Sequence, residues 1–348
     1  MTGKQKVINV INGVRNDVHP NYDILRNDDI IEYYAGEKLT FENAPRVTKL
    51  AAMRAVDGTR GIPRLPDPES DKLLPDGRRV YTARWTSWTE NYKINDTDAY
   101  IASLKKHVQS EILTESEIKV FLDSVNLYHS VQEEYFKDIA FFWALPYTGG
   151  FISGLYGGIG MEQYAYIAAE DTELSAELMN YRLEKAVKVI EHIPEDKTPF
   201  GIFVGDDIAY KTGLLVNPSL LEKGYYANMK RFCDAAHKKG IYVMFHSDGC
   251  LNEVLDGLVD AGIDFLNPFE TMANMDVKTV HTKYPKIIIA GGIDVSQLLP
   301  FGSPGDVERA VKQAIEDAEG KILVGSSTEV NDKVPLENFL ALKKGLVY

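Results

Sequence analysis

Residues 240–270 carry the pattern that most restricts what this chain can fold into. Residues 241–245 are a short, nearly uninterrupted apolar run, as expected of a parallel strand covered on both faces. The run stops at His246-Ser247-Asp248-Gly249-Cys250, a polar cluster with a glycine for the turn. Leu251, Val254, Leu255, Leu258 and Val259 then recur at helical spacing. Gly262 ends that helix, and residues 263–266 read as a second strand closing on Asn267-Pro268. Ligands of parallel α/β folds gather where such strands end.

The unit recurs. Residues 139–145 form an apolar strand ending at Pro146-Tyr147-Thr148-Gly149-Gly150, and residues 200–204 another ending in Gly205-Asp206-Asp207. Residues 286–290 lead into Gly291-Gly292-Ile293-Asp294, and 321–324 into Gly325-Ser326-Ser327-Thr328-Glu329. A long amphipathic helix is expected over 172–193, capped at Thr172. Asn217-Pro218 opens a second that runs to Lys239 and stops at Gly240. Six strands can be counted, and one or two more before residue 100 would complete an α/β fold of the (β/α)8 TIM-barrel type with an N-terminal extension. The runner-up is an open doubly wound sheet, disfavoured because polar residues close every strand rather than one switch point. The glycines of 149–160 lack a dinucleotide fingerprint and read instead as a flexible loop facing a ligand.

The 348 residues are read as one barrel domain in which 1–110 is a divergent portion containing an active-site lid. Residues 1–48 look polar and aperiodic apart from short helical stretches between Tyr22 and Glu37, and a helix over 46–55 carries Arg54 inward. Residues 56–68, dense in glycine, proline and arginine, are either a solvated connector or a segment whose Arg54, Arg60 or Arg64 meets an anionic group. Residues 79–88 read as a strand after a Pro75-Asp76-Gly77 turn, with Trp85 and Trp88 as packing. A net charge of −13 argues against nucleic acid or an anionic membrane as partner. No apolar run is long enough to span a bilayer and the start lacks a signal peptide's apolar core. Two cysteines, Cys233 and Cys250, give no disulfide framework. A cytoplasmic protein is expected, with a homodimer left open.

Several segments taken together carry a likeness. They are Gly205-Asp206-Asp207 with Asn217-Pro218, Ala235-Ala236-His237-Lys238-Lys239-Gly240, His246-Ser247-Asp248-Gly249, Asp264-Phe265-Leu266-Asn267-Pro268, Gly291-Gly292-Ile293-Asp294 and Val334-Pro335-Leu336-Glu337-Asn338. With these the chain resembles the uroporphyrinogen decarboxylase superfamily, whose members are (β/α)8 barrels. The Arg-Gln-Ala-Gly-Arg type segment of the decarboxylases themselves is missing. Together with Arg84-Trp85-Thr86-Ser87-Trp88, the segments look closest to the corrinoid-dependent methyltransferases that demethylate methoxylated aromatics.

That resemblance implies transfer of a methyl group from an aryl methyl ether to the cob(I)alamin of a separate corrinoid protein. The chain itself has no Asp-x-His-x-x-Gly signature: Asp17-Val18-His19 starts one, but Tyr22 stands at the glycine. A metal-independent decarboxylase, a methylcorrinoid:thiol methyltransferase and a catalytically silent binding barrel are the other readings. An aryloxide leaves poorly unless a Lewis acid or proton donor meets its oxygen. Coenzyme-M enzymes of this branch bind zinc through His-x-Cys and a distant Cys. Here His246 matches the histidine, Asp248 replaces the first cysteine, and the distant one falls near Thr328, beside Glu329. An oxygen-rich Zn2+ site from His246, Asp248 and Glu329, with Asp206 or Asp207, is therefore one expectation; hydrogen bonding to substrate alone is the other. His246, Asp206, Asp207 and Glu329 are the expected catalytic residues, with His246, Asp206 and Glu329 converging in one pocket. Asp248, Tyr147, Arg84 and Asn267 are the expected substrate contacts. The corrinoid protein is expected to dock transiently over the 149–160 and 54–64 loops.

Overall fold

The computed structural model describes residues 1–347. Seven parallel strands succeed one another around one sheet in chain order: β1 (Gly58–Arg60), β2 (Ala140–Trp143), β3 (Gly201–Gly205), β4 (Tyr242–His246), β5 (Phe265–Asn267), β6 (Ile288–Ile293) and β7 (Ile322–Ser326). The six strands read from the sequence are β2 to β7, and β1 answers the expectation of one or two more before residue 100. Residues 20–23 supply the eighth. They lie between β7 and β1, where Asn21 bridges Val324 and Tyr22 bridges Gly58, both in parallel sense. The Tyr22 amide donates to Val324 O at 3.0 Å and the Gly58 amide to Asn21 O at 3.0 Å. The (β/α)8 barrel is closed by this short stretch, whose sequence reads as the start of a helical region rather than as a strand.

Side chains lock the closure. The Asp23 carboxylate accepts the Ser326 hydroxyl at 2.6 Å and the Ser326 amide at 3.0 Å. Asn21 Nδ2 donates to Val324 O at 2.8 Å, and Thr59 Oγ1 to Asp23 O at 2.8 Å. Gly325 is required for the approach, because a Cβ there would lie 1.7 Å from Tyr22 O.

Strand side chains alternate, so each barrel strand feeds the interior and the helical shell by turns. Tyr22, Ala140, Phe142, Met244, Phe265, Ile288, Ala290 and Leu323 form the interior cluster. The odd-and-even partners Phe141, Trp143, Ile202, Val204, Val243, Phe245 and Leu266 pack outward with the helices. The bottom of the barrel is plugged by the helix Gly3–Ile11, whose Val7 and Val10 join the interior cluster. Thr2 caps that helix, its Oγ1 accepting from the Gln5 amide. A regular helix here departs from the polar, aperiodic reading of residues 1–48.

Other boundaries shift for local reasons. The long helix spans Thr172–Glu191 and its cap is Asp171, whose carboxylate accepts from the Leu174 amide, rather than Thr172. The helix expected to run unbroken from Pro218 is interrupted at Gly224 (φ 130°) and resumes as Tyr226–Lys238. Between β1 and the helix Glu115–Val131 sits an antiparallel sheet of Ser70–Leu73, Arg79–Ala83 and Thr86–Thr89. The single strand expected over 79–88 is therefore a hairpin. Among the described residues no helix is long and apolar enough to cross a membrane.

Two outcomes test the closure. Gly325→Ala should cost about 3 kcal/mol in urea denaturation, since the clash is with backbone that cannot yield. Burial pushes the Asp23 carboxyl up to about 6, above its value in the unfolded chain. The folded chain thus holds a proton between about pH 4 and 6 that the unfolded chain has released, so this group's stabilisation is complete below that window and lost through it. The stability advantage of wild type over Asp23→Asn should shrink as pH rises from 4 to 7.

Candidate active site

Parity carries directly into the site. On β1, β4 and β5 the final inward positions are Arg60, His246 and Asn267, and β3 presents Gly205 beside His246 with Phe203 one inward position below. Gly205 pairs with His246, and His246 with Asn267, across adjacent strands. The Arg60 guanidinium lies over the Phe203 ring, 4.3 Å from its centroid, and Phe203 is 5.1 Å from the His246 ring. Arg60, Phe203, Gly205 and His246 border a cavity of about 400 Å³ at the C-terminal end of the barrel, together with Ile24, Arg26, Ile62, Arg64, Ser153 and Asp207; Asn267 and Asp248, expected as substrate contacts, are not among its lining residues, and Asn267 is fully buried behind His246.

His246 is held from one side. Asn267 Nδ2 is fixed on Ala290 O at 2.9 Å, so its Oδ1 faces His246 Nδ1 at 2.9 Å and also accepts from Arg60 Nη1 at 2.6 Å. Arg60 Nη1 also lies against His246 Nδ1. A proton on Nδ1 satisfies Asn267 and leaves the Nε2 lone pair facing the carboxylates, whereas a proton on Nε2 satisfies Arg60. Cation binding at Nε2 selects the first form. Burial, reinforced by the Arg60 charge, holds the imidazole pKa well below its ordinary value, which keeps the ring neutral at pH 7.

Asp207 Oδ1 stands 3.7 Å and Asp248 Oδ1 3.8 Å from His246 Nε2. The three ligand atoms lie within 4.8 Å of one another. Asp248 Oδ1 is buried and without a hydrogen-bond partner. Burial first, then the charges of Asp207 and Glu270, push the Asp248 carboxyl up to about 7. Metal–ligand bonds of about 2.0–2.2 Å require donors a little over 3 Å apart, so a small rotation of either carboxylate suffices. One imidazole and two carboxylates with an orphaned buried oxygen thus fit a divalent cation with an oxygen-rich shell. Thiolate ligation is not offered: Cys250 is outside the group, its sulfur meeting the Asn252 amide at 3.5 Å.

Several expected residues stand elsewhere. Asp206, one position out of phase with Asp207, is fully buried and accepts from the Ile152 and Ser153 amides and from the Tyr225 hydroxyl at 3.0 Å. It anchors the 149–160 loop, which Arg182 grips from the other side through Gly150 O and Gly154 O. Glu329 is paired with Arg26 at 2.5 Å and is not in the metal-capable group; Asp207 takes its place. His246, Asp206 and Glu329 thus share the C-terminal end of the barrel without converging. Tyr147 does not line the cavity but has Lys185 over its ring at 5.3 Å. Arg84 pairs with Asp28 at 2.7 Å, tying the hairpin to the helix Asp28–Ala35. Arg54 donates to the last carbonyls of that helix, Tyr34 O and Ala35 O, and is exposed rather than inward. Arg26 and Ile24 were missed because the strand they follow was not recognised. A larger cavity, about 600 Å³, lies at the opposite end of the barrel, between Val10, Ile315 and Leu346.

Residues 150–344 match the profile of the uroporphyrinogen decarboxylase (URO-D) family. That span is more than half of the chain, which belongs to this family. No curated protein matches the sequence significantly. Among solved structures, a methyltransferase from Methanosarcina mazei superposes with a TM-score of 0.68 at 13% identity, covering 99% of this chain and 98% of that one. A B12-independent methionine synthase from Shewanella sp. W3-18-1 superposes with a TM-score of 0.48 at 12% identity, over 94% and 96% of the two chains. At such identities the likeness is one of fold.

Asn267 provides the test of this geometry. Asn267→Ala should weaken binding of a divalent cation, Zn2+ or Mn2+, about 10- to 100-fold by freeing the imidazole, and His246→Ala should abolish it. Equilibrium dialysis of the purified chain measures both.

Proposed function

We propose that this chain is a methyltransferase that takes the methyl group of a methoxylated aromatic compound and passes it to the cob(I)alamin of a separate corrinoid protein. The observation that carries this reading is the open cavity at the barrel mouth, where the aromatic floor of Phe203 adjoins the Asp207–His246–Asp248 group. The family and the full-length fold likeness to a methyltransferase support it.

In the reaction the cobalt nucleophile forms a bond to the methyl carbon while the carbon–oxygen bond breaks and its electron pair stays on the aryl oxygen. A divalent ion held by Asp207, His246 and Asp248 would supply positive charge to that oxygen. The chain offers a second route. Asp248, its carboxyl pushed up to about 7, retains a proton near neutrality and can deliver it to the departing oxygen. Phe203 and Ile62, which line the cavity, would give the ring an apolar seat, and Arg60 with Asn267 fixes the imidazole. The segment of Arg60 to Arg64 and the 149–160 loop flank the mouth, where the corrinoid protein would dock transiently; the protein would be cytoplasmic.

The test is anaerobic incubation with an aromatic methyl ether and cob(I)alamin, following methylcobalamin by its absorption spectrum. Methyl transfer is expected, falling at least 100-fold in Asp248→Ala. Release of carbon dioxide from a carboxylated aromatic without methyl transfer would instead identify a decarboxylase, a reading that the arginines of the cavity favour.

A further inference from the structure

The neutral imidazole of His246 has one proton for two ring nitrogens, and the neighbours of Nδ1 make opposite demands on it. Asn267 Nδ2 is spent on Ala290 O at 2.9 Å, so Asn267 turns an acceptor, Oδ1, toward Nδ1 at 2.9 Å. Arg60 Nη1, which can only donate, lies against the same Nδ1 and reaches Oδ1 at 2.6 Å with its other hydrogen. An Arg60 N–H aimed at Nδ1 needs a lone pair there, which puts the ring proton on Nε2, toward Asp207 and Asp248 at 3.7 and 3.8 Å. A cation on Nε2 requires the reverse. The proton then sits on Nδ1 and is donated to Asn267 Oδ1, and Arg60 would press an N–H against an N–H. The two arrangements exclude each other. Arg60 is free to move away: it lines the cavity, lies on the Phe203 ring 4.3 Å from its centroid, and among the described residues forms no ion pair.

We propose that Arg60 is a latch on the cation site: in the empty chain it holds His246 with its proton on Nε2, and a divalent ion seats on Asp207, His246 and Asp248 only as Arg60 lets go of Nδ1. Asn267 and Arg60 thus act on one nitrogen with opposite sign, the first favouring the cation and the second opposing it. Arg60 works through His246 and is a positioning residue. What it gives up is a charge-assisted hydrogen bond, and the Nη1 hydrogen released turns to the cavity. The coupling runs both ways: whatever draws Arg60 off the imidazole tightens the cation by the factor by which the cation frees Arg60. This inference rests on the cation reading of the Asp207–His246–Asp248 group and not on the identity of the methyl donor.

Nitrogen-15 NMR of the full chain with labelled histidine, stripped of metal by a chelator, reads the tautomer directly, with His246→Ala identifying the signal. Wild type should carry the His246 proton on Nε2, and Zn2+ should move it to Nδ1. Arg60→Met and Arg60→Lys should both carry it on Nδ1 without any cation. In equilibrium dialysis both variants should bind Zn2+ at least 10-fold more tightly than wild type, the opposite of Asn267→Ala. The lysine keeps the charge on a shorter head that cannot meet both Nδ1 and Oδ1, so a gain in the methionine variant alone would mean simple charge repulsion and overturn the latch. A metal-free wild type with its proton already on Nδ1 overturns it too, even if neither variant folds. No Zn2+ bound by wild type or either variant ends the proposal together with the cation site. The methyl-transfer reading fails separately: if the tautomer and affinities behave as stated while no aromatic ether donates its methyl, the latch holds and that reading falls.

Discussion

Side chains of a barrel strand point by turns into the barrel and into the helical shell, and that two-residue parity governs the rest of this structure. It turns Arg60, Phe203, His246 and Asn267 inward from four different strands, where their side chains meet. It also separates two neighbouring aspartates. Asp207 continues the inward series of residues 201, 203 and 205 and reaches the cavity. Asp206 continues the outward series of Ile202 and Val204, and is sealed beneath the 149–160 loop. Their chemical identity is the same, and their positions differ by one rise of a strand.

Burial then sets the charge states. Asp206 accepts three hydrogen bonds, yet burial still raises its pKa, so its place is that of an anchor. Asp248 has fewer partners and stands among other carboxylates, which is the arrangement that lets one group hold its proton near neutrality. Around the same cavity Arg26 is paired with Glu329 and Arg64 with Asp67. Arg60 joins the two groups, its guanidinium lying against His246 and over the Phe203 ring.

Closure of the barrel positions two of those arginines. Arg26 follows the closing stretch of residues 20–23 directly, and Arg60 ends the neighbouring β1. The Asp23–Ser326 bonds and the bare Gly325 that join this stretch to β7 therefore set the place of both. The far end of the same barrel is filled by apolar side chains and plugged by the helix Gly3–Ile11.

Apolar runs bounded by glycine and polar residues determined β2 to β7 and their order, because a strand buried on both faces needs an uninterrupted apolar stretch. The same runs placed His246, Asp207 and Asn267 at strand ends, and parity counted along 201–207 would have told Asp207 from Asp206. Other features were decided only in three dimensions. His19-Pro20-Asn21-Tyr22-Asp23 has no strand pattern, since its pairing is justified by edges supplied from residues 58 and 324 rather than by its own composition. Glu329 and Arg84 read as site residues until Arg26 and Asp28 claimed them, and Arg26 entered the cavity through a strand invisible in the sequence. Ion pairs of this kind join residues tens to hundreds of positions apart. Local sequence holds no record of such distances; the closed barrel creates them.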